Sequence, residues 1–298
     1  MPAGPFRQWY NKDAPLMPGT LFVVATPIGN LDDITARALR VLREVALIAA
    51  EDTRRTAHLL ARYAISTPTT SLHEHNEGKK TTSLVERLRR GDDVALVSDA
   101  GTPTVSDPGE RLIQAAIESG IRIEPIPGPS AALAALAASG LPAGTFTFLG
   151  FPPTRSKDRN KWFDGLASAG RTVVFFEAPH RIRATLERLQ TVVGDCKISV
   201  ARELTKVHEE FIRGPISDVL KRLESPRGEF TIVVYFGQST EYVSSEPAGD
   251  TSIFNDFCEM TKRSGVKRRD AVVALARKHG MAPNDVYSAI ERAKKSIK

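Results

Sequence analysis

The chain reads as an α/β protein: a mostly parallel N-terminal sheet, a mixed C-terminal sheet and a small helical C-terminal appendage. Three observations predict it. Short β-branched runs alternate with amphipathic helical stretches up to about residue 127, the pattern of strands joined by helical crossovers. After Gly128 the spacing changes, and the last three apolar runs have only one short helix among them, as in a sheet with antiparallel neighbours. Finally, Gln238 to Thr251 turns to Ser, Glu, Pro and Gly before a basic segment with helical periodicity, the composition of a linker.

In chain order, Thr20 to Ala25 is a buried strand, and Ile34, Ala38, Val41, Leu42 and Val45 mark one face of a helix. Ala46 to Ala50 is a second strand, which completes a β-α-β unit. Helices follow over Thr53 to Arg62 and Thr82 to Arg90, then a strand Val94 to Ser98, a helix Gly109 to Ser119 and a strand Ile121 to Ile126. Gly91 and Gly120 stand where helices end. The second series has helices over Ser130 to Ala138, Lys161 to Ser168, Ile182 to Val193 and Ile216 to Leu223. Its strands fall at Thr145 to Gly150, Thr172 to Phe176, Ile198 to Ala201, His208 to Arg213 and Glu229 to Phe236. The domains are therefore expected at 19–127 and 128–238, divided at Pro127-Gly128-Pro129. An N-terminal extension occupies 1–18, a linker 239–251 and a basic appendage of three helical stretches 252–298.

Charge is unevenly placed. The formal +6 lies wholly within residues 251–298, which hold 11 basic and 5 acidic side chains, and the other 250 residues are neutral. A local basic module suits a polyanionic partner. Cys196 and Cys258 have no spacing for a metal or a disulfide framework, so neither is expected. The uncharged run from Pro125 to Thr154 is interrupted by six prolines and Gly140, too broken for the roughly 20 apolar residues that cross a bilayer. With no export signal in the first eighteen residues, a soluble, cytoplasmic protein is expected.

Open α/β sheets bind ligands at the C-terminal ends of their strands, so the loops there are the candidate site. Thr26 to Thr35 joins a flexible Gly29 to small polar groups, which also fits a tight turn ending in an Asp cap. Ser98 to Gly109 gathers two carboxylates and four hydroxyls, more than a connection needs. Ile126 to Ala132 meets a helix N-terminus whose free amides suit a carboxylate, with Ser130 also placed to be its cap. No phosphate-binding GxxxxGK[ST] occurs and no GxGxxG follows the first strand, which argues against ATP hydrolysis and ordinary dinucleotide binding.

The ordered set TPIGNLDDIT, AAEDTRRT, SLHEHNE, VSDAGTPTVSDPG, PGPSA, FEAPHR and ARELTKVHEE, from about Gly19 to Gly237, resembles the small-subunit ribosomal RNA methyltransferase branch of the tetrapyrrole methylase superfamily. The resemblance implies a tetrapyrrole-methylase-like fold and S-adenosylmethionine as cofactor. The acceptor it implies is the ribose 2′-hydroxyl of a cytidine in the decoding region of 16S rRNA, within the assembled small ribosomal subunit, and the enzyme is expected to be a homodimer. By the same resemblance Pro27, Ile28, Asp99, Ala100, Gly101, Thr102, Ser106, Ser130 and Ala131 touch the cofactor. Tetrapyrrole-acting members carry a glycine-rich first loop and a GDP-type second loop; Thr26-Pro27-Ile28-Gly29 and Ser98-Asp99-Ala100 stand here instead, which argues for the RNA branch.

A hydroxyl acceptor must lose its proton, and Glu51, Asp52, His73, His75, Asp99 and Glu177 are candidates to take it. Asp52, Arg54 and Glu177 are the catalytic candidates, although Asp52 also reads as a helix cap and Arg54 as its ion-pair partner. His73 and His75 alternate along what reads as an extended segment, so they face opposite ways. His180 and Arg181, and Lys267, Arg268 and Arg269 of the tail, are placed to meet RNA phosphates. Two other functions fit less well. A precorrin-type C-methyltransferase has no use for the tail, and a non-enzymatic RNA-binding protein leaves the polar loops idle.

Overall fold

The computed structural model describes residues 17–167, 170–223, 227–236, 250–262, 268, 271–272, 275–276 and 283–296. The chain divides into two compact units, Met1–Gly237 and Gln238–Lys298.

Five strands make the first sheet: β1 (Thr20–Val24), β2 (Leu47–Ala50), β3 (Thr69–Ser71), β4 (Val94–Val97) and β5 (Arg122–Ile126). They run parallel in the order β3-β2-β4-β1-β5. β2 and β4 are buried at every position, which is why they read as unbroken apolar runs. Helices α1 (Ala36–Glu44) and α2 (Thr53–Arg62) close one face through Val41, Leu42, Leu59 and Leu60. Helices α3 (Glu77–Arg89) and α4 (Glu110–Glu118) close the other through Leu84, Leu88 and Leu112. Each such leucine contributes about 1.5–3 kcal/mol when fully buried.

The second sheet is mixed, in the order β6-β7-β10-β8-β9. It comprises β6 (Phe146–Phe148), β7 (Thr172–Glu177), β8 (Lys197–Arg202), β9 (Glu210–Pro215) and β10 (Phe230–Tyr235). Only β6 and β7 pair in parallel; β7–β10, β10–β8 and β8–β9 are antiparallel. Helices α6 (Ser156–Ala167), α7 (Ile182–Val193) and α8 (Ile216–Arg222) pack one face through Phe163, Leu186 and Val219. The alanine-rich α5 (Ala131–Ala138) packs the other, against Val174, Ala201 and Val233. Its small side chains let it lie close to the strands, and Ile28 of the first half reaches the same cluster.

The expected β-α-β order holds, with differences that have physical causes. β3 was not expected, being short, polar and partly exposed at the sheet edge. α3 starts five residues before Thr82 and α6 five before Lys161, because their first turns are polar and carry no apolar period. β9 runs Glu210–Pro215 rather than His208–Arg213. His73 and His75 lie at a turn with rings 6.0 Å apart, edge to face, rather than alternating along a strand.

In the second unit, α9 (Asp250–Lys262) and α10 (Pro283–Ser296) share a core of Ile253, Phe257, Val286 and Ile290 with Leu275 between them in sequence. Arg292 clamps the two helices by pairing with both oxygens of Asp250 at 2.7 and 2.9 Å. Asp250 and Thr251, expected in the linker, begin α9. The rest of the linker, residues 1–16 of the expected extension, and most of the expected middle helix lie outside the described residues. No helix among the described residues is long and apolar enough to cross a membrane.

Candidate functional site

β1 and β4 are neighbours whose following segments diverge, β4 leading on to β5 beyond β1 and β1 leading back to β2. A crevice forms at such a reversal. Thr26 and Gly101 bridge the two loops through paired backbone bonds of 2.8 and 3.0 Å, and the Thr26 hydroxyl donates to the Ser98 carbonyl at 3.2 Å. The first loop then docks on the turn after β8: the Asn30 amide donates to Thr205 Oγ1 at 2.9 Å. A Cβ on Gly29 would sit 2.6–2.8 Å from Lys206 Cγ, Thr205 Oγ1 and the Leu204 carbonyl, so only glycine allows this approach.

The loop after β4 is held in a costly shape. Thr104 and Ser106 have φ of 71° and 69°, a region costing non-glycine residues roughly 1–2 kcal/mol. Its far end is secured by Glu77, a buried carboxylate accepting from the amides of Gly109 at 3.1 Å and Arg111 at 2.9 Å. Glu77 thereby supplies the α4 cap that Gly109 cannot make itself.

These loops and the ends of β7, β8 and β10 enclose a cavity of about 440 Å³. Ile28, Asp99, Ala100, Gly101, Thr102, Ser106, Ser130 and Ala131 line it, all expected cofactor contacts. Pro27 instead lines an adjoining pocket of about 90 Å³, which shares Arg55 and Asp99 with the larger one. Val105 and Asp107 of the expected Ser98–Gly109 loop also line it, as do Arg55, Phe151, Phe176, Leu204, Glu229, Phe230 and Thr231, which sequence reasoning did not single out. Phe151 and Leu204 follow strands of the second sheet, so the strand-end rule applied to that sheet would have found them.

One wall is acidic. The Asp99 amide donates to Glu51 Oε2 at 3.2 Å and the Asp52 amide to Asp99 Oδ1 at 2.9 Å, while Arg55 lies 3.5 Å from Asp99 Oδ2. Burial raises the Glu51 pKa, opposed by the Asp99 amide and Arg55 and reinforced by the Asp99 charge. Burial also pushes Asp107 up to about 6, reinforced by the charges of Glu51 and Asp99 and opposed by the Ser98 hydroxyl. Burial thus outweighs the counter-charge of Arg55 at Glu51, and no cation opposes it at Asp107.

The three catalytic candidates are placed differently from one another. Asp52 caps α2 by accepting from the Arg54 amide at 2.9 Å, and the Arg54 guanidinium, 2.8 Å from Asp52 Oδ2, holds its pKa down to about 2. Neither residue lines the cavity. Glu177 does, but its fully buried carboxylate is engaged by Arg181 at 2.7 Å, Arg159 at 3.4 Å, the Thr185 hydroxyl and the Ala178 amide at 2.8 Å. Arg181, expected on phosphate, therefore faces inward, whereas His180 is exposed. Arg268 is exposed, with its guanidinium 5.8 Å from the Phe257 ring; Lys267 and Arg269 lie outside the described residues. Among the described residues no cluster suits a metal ion.

Comparison with known proteins places these loops in a family. The family profile of Tetrapyrrole (Corrin/Porphyrin) Methylases matches residues 20–220. The chain is 41% identical over 273 residues to "Ribosomal RNA small subunit methyltransferase I" of Bacillus subtilis, covering 91% of this chain and 94% of that protein. It is 47% identical over 228 residues to the Pseudomonas aeruginosa protein of that name, covering 75% and 81%. The Thermotoga maritima protein of that name is 46% identical over 218 residues, 98% of its own length but 72% of this chain. Among solved structures, the methyltransferase CobJ superimposes with a TM-score of 0.57 at 23% identity, covering 74% of this chain and 95% of its own. Uroporphyrin-III C-methyltransferase from Thermus thermophilus, complexed with S-adenosyl homocysteine, gives 0.54 at 17%, covering 72% and 97%. At those identities the likeness is one of fold.

Proposed function

This chain belongs to the tetrapyrrole (corrin/porphyrin) methylase family and is a methyltransferase, and on that premise we propose that it transfers a methyl group from S-adenosylmethionine to 16S ribosomal RNA. The observation that carries the proposal is its identity of 40% or more, over most of its length, to proteins named for small-subunit ribosomal RNA methylation. We extend it to the 2′-hydroxyl of a decoding-region cytidine, to a homodimer acting in the cytoplasm on the assembled small subunit, and to residues 19–127 and 128–238 as the two catalytic domains. The motif set from TPIGNLDDIT to ARELTKVHEE supports those finer assignments.

The cavity fits the cofactor. Its volume lies in the roughly 300–1,000 Å³ range of small-molecule sites, Ile28 and Leu204 give it apolar walls, and Asp107, raised by burial and by the charges of Glu51 and Asp99, lacks the counter-charge that a cation would bring. When bound, S-adenosylmethionine supplies a methyl group on a positively charged sulfur. Asp99, Thr102 and Ser106 would offer hydrogen-bond acceptors and donors to its polar edges, and the amides at the start of α5, beside Ser130 and Ala131, would suit its carboxylate. Asp52 and Arg54 fix the first turn of α2 and so place Arg55 at the cavity. Glu177 anchors the wall between α6 and α7. The proton acceptor falls among Glu51, Asp99 and Asp107; the other two carboxylates lining the cavity, Glu177 and Glu229, are held by Arg181 and Lys206. In-line placement of donor and hydroxyl is worth about 7–11 kcal/mol, which the rigid loops after β1 and β4 serve.

The test is mass spectrometry of 16S rRNA from a strain lacking the gene, before and after this protein is restored. A methylated ribose that disappears and returns supports the proposal. An unchanged nucleotide pattern refutes it.

A further inference from the structure

The cavity mouth leaves two apolar side chains in water, Val105 at 40% and Phe151 at 52% exposure. They come from the loops after β4 and β6, which meet at Gly150. There φ is 61°, and an added Cβ would lie 2.9 Å from Ser106 Oγ. The Phe151 ring is backed by Phe176, with centroids 5.4 Å apart, and Phe176 in turn by Phe148 at 5.0 Å. An aromatic surface is thus supported from behind and open in front.

The chain leaves Phe151 directly into a row of cations. On α6, Arg159, Phe163 and Leu166 turn inward, Arg159 toward Glu177 and Thr185. Lys157 and Lys161 are two residues away from members of that stripe, about 200° around the helix, and both are exposed, as is Arg155 just before the helix. Among the described residues no carboxylate pairs with Arg155, Lys157 or Lys161, although Asp158 and Asp164 share the helix. Arg181 Nη1 lies 3.5 Å from the Pro152 carbonyl, which brings the turn carrying exposed His180 against the same segment. An exposed ring beside unpaired cations is the combination that holds single strands: every unpaired base has a face to stack, and its phosphates follow a basic track. An A-form duplex keeps its bases stacked and offers the ring nothing.

We propose that Phe151, Arg155, Lys157 and Lys161 form a platform for single-stranded RNA, one nucleobase stacking on Phe151 at the cavity mouth while the adjoining phosphates run along α6. This inference rests on the RNA-methylating reading above. It adds a substrate state, an unpaired strand with a splayed base, and the residues that recognise it.

The experiment measures binding of a fluorescein-labelled single-stranded RNA oligonucleotide to the full-length protein over a salt series, with S-adenosyl homocysteine binding followed by calorimetry. Phe151→Ala weakens RNA about 5- to 150-fold, the range for loss of one base stack, and Phe151→Tyr restores it. Lys157→Glu with Lys161→Glu flattens the slope of log affinity against log salt by about 1.4, for two phosphate contacts on a single strand. Unaltered RNA affinity in Phe151→Ala overturns the platform, and so does loss of S-adenosyl homocysteine affinity in place of RNA affinity in the lysine variant, whose side chains lie outside the cavity lining. So does an unchanged salt slope in the lysine variant, or equal sensitivity of a duplex to Phe151→Ala. Wild-type protein that binds neither RNA nor S-adenosyl homocysteine refutes the proposed function instead.

Discussion

Replacing Asp107 with Asn should stabilise the ligand-free protein at alkaline pH and leave it unchanged in acid. Asp107 titrates near 6 in the fold against 3.8 for a free carboxyl, a raised pKa of about two units at about 1.4 kcal/mol each. The full figure of roughly 3 kcal/mol applies to a dry site. Asp107 is only partly buried, and solvent screening reduces it to about 1–1.5 kcal/mol. Because the folded pKa lies above the unfolded one, the protonated side chain's contribution is complete below pH 3.8 and is lost as pH rises through about 6. Asn mimics the protonated form at every pH. At pH 8 the variant should melt about 2–6 °C above wild type, using 2–4 °C per kcal/mol for a chain of this size, and the gap should shrink as pH falls toward 4. Thermal unfolding by circular dichroism at both pH values measures this. Adding ligand extends the test: cationic S-adenosylmethionine should stabilise wild type more than neutral S-adenosyl homocysteine does, and Asp107→Asn should narrow that difference. A variant that melts below wild type at pH 8 refutes the reasoning, since it would show that the charged carboxylate is compensated.

Asp99→Ala removes the acceptor for the Asp52 amide and the partner of Arg55, and should weaken S-adenosylmethionine several-fold in calorimetry while the far-ultraviolet spectrum stays native. Glu77→Ala leaves the Gly109 and Arg111 amides without their buried acceptor, at a cost of about 1–3 kcal/mol in urea unfolding; cofactor affinity should fall with it, because the loop after β4 loses its anchor. Gly29→Ala drives a methyl group against the Leu204 carbonyl and two side chains, so a loss of about 1–3 kcal/mol is expected from overpacking. A chain ending at Ser239 should keep cofactor affinity, bind rRNA more weakly and show a shallower salt slope than the full-length protein.

Much of the fold was legible because burial on both faces leaves a plain signature: Leu47–Ala50 and Val94–Val97 are apolar throughout, and α2 and α7 carry their periods from end to end. β3 was not legible. Thr69-Thr70-Ser71 has neither alternation nor a run, and only the free edge of β2 makes it a strand. The start of α3 escaped for a related reason, since Asn76 turns its side chain back to the His73 amide and offers the helix no cap. At the site, the loops could be located from strand ends, but the direction of each side chain could not. Arg181 reads as a free cation until Glu177, four residues earlier, and Arg159 converge on the same buried point. Glu77 likewise looked like part of a polar motif, and its role depends on Gly109, 32 residues away.

The charge distribution separates two tasks that a single patch would confuse. Residues 1–250 are neutral as a whole, yet Arg159 and Arg181 are taken up by the buried Glu177 while Arg155, Lys157 and Lys161 stand exposed beside them, so the local charge around α6 is not read from the net charge. Phosphate attraction to a basic segment is indifferent to sequence, so the +6 of residues 251–298 cannot by itself choose a nucleotide. Choice must come from contacts near the reacting atoms, where a base meets the cavity rim. The Thermotoga maritima relative is matched over 98% of its length while 72% of this chain is covered, so a protein of that name lacks a counterpart to about a quarter of this one. If the basic unit serves affinity alone, removing it should lower apparent substrate affinity while leaving the methylated nucleotide the same. A shift in the position methylated by a chain ending at Ser239, read by mass spectrometry of the rRNA, would instead make the tail part of the recognition itself.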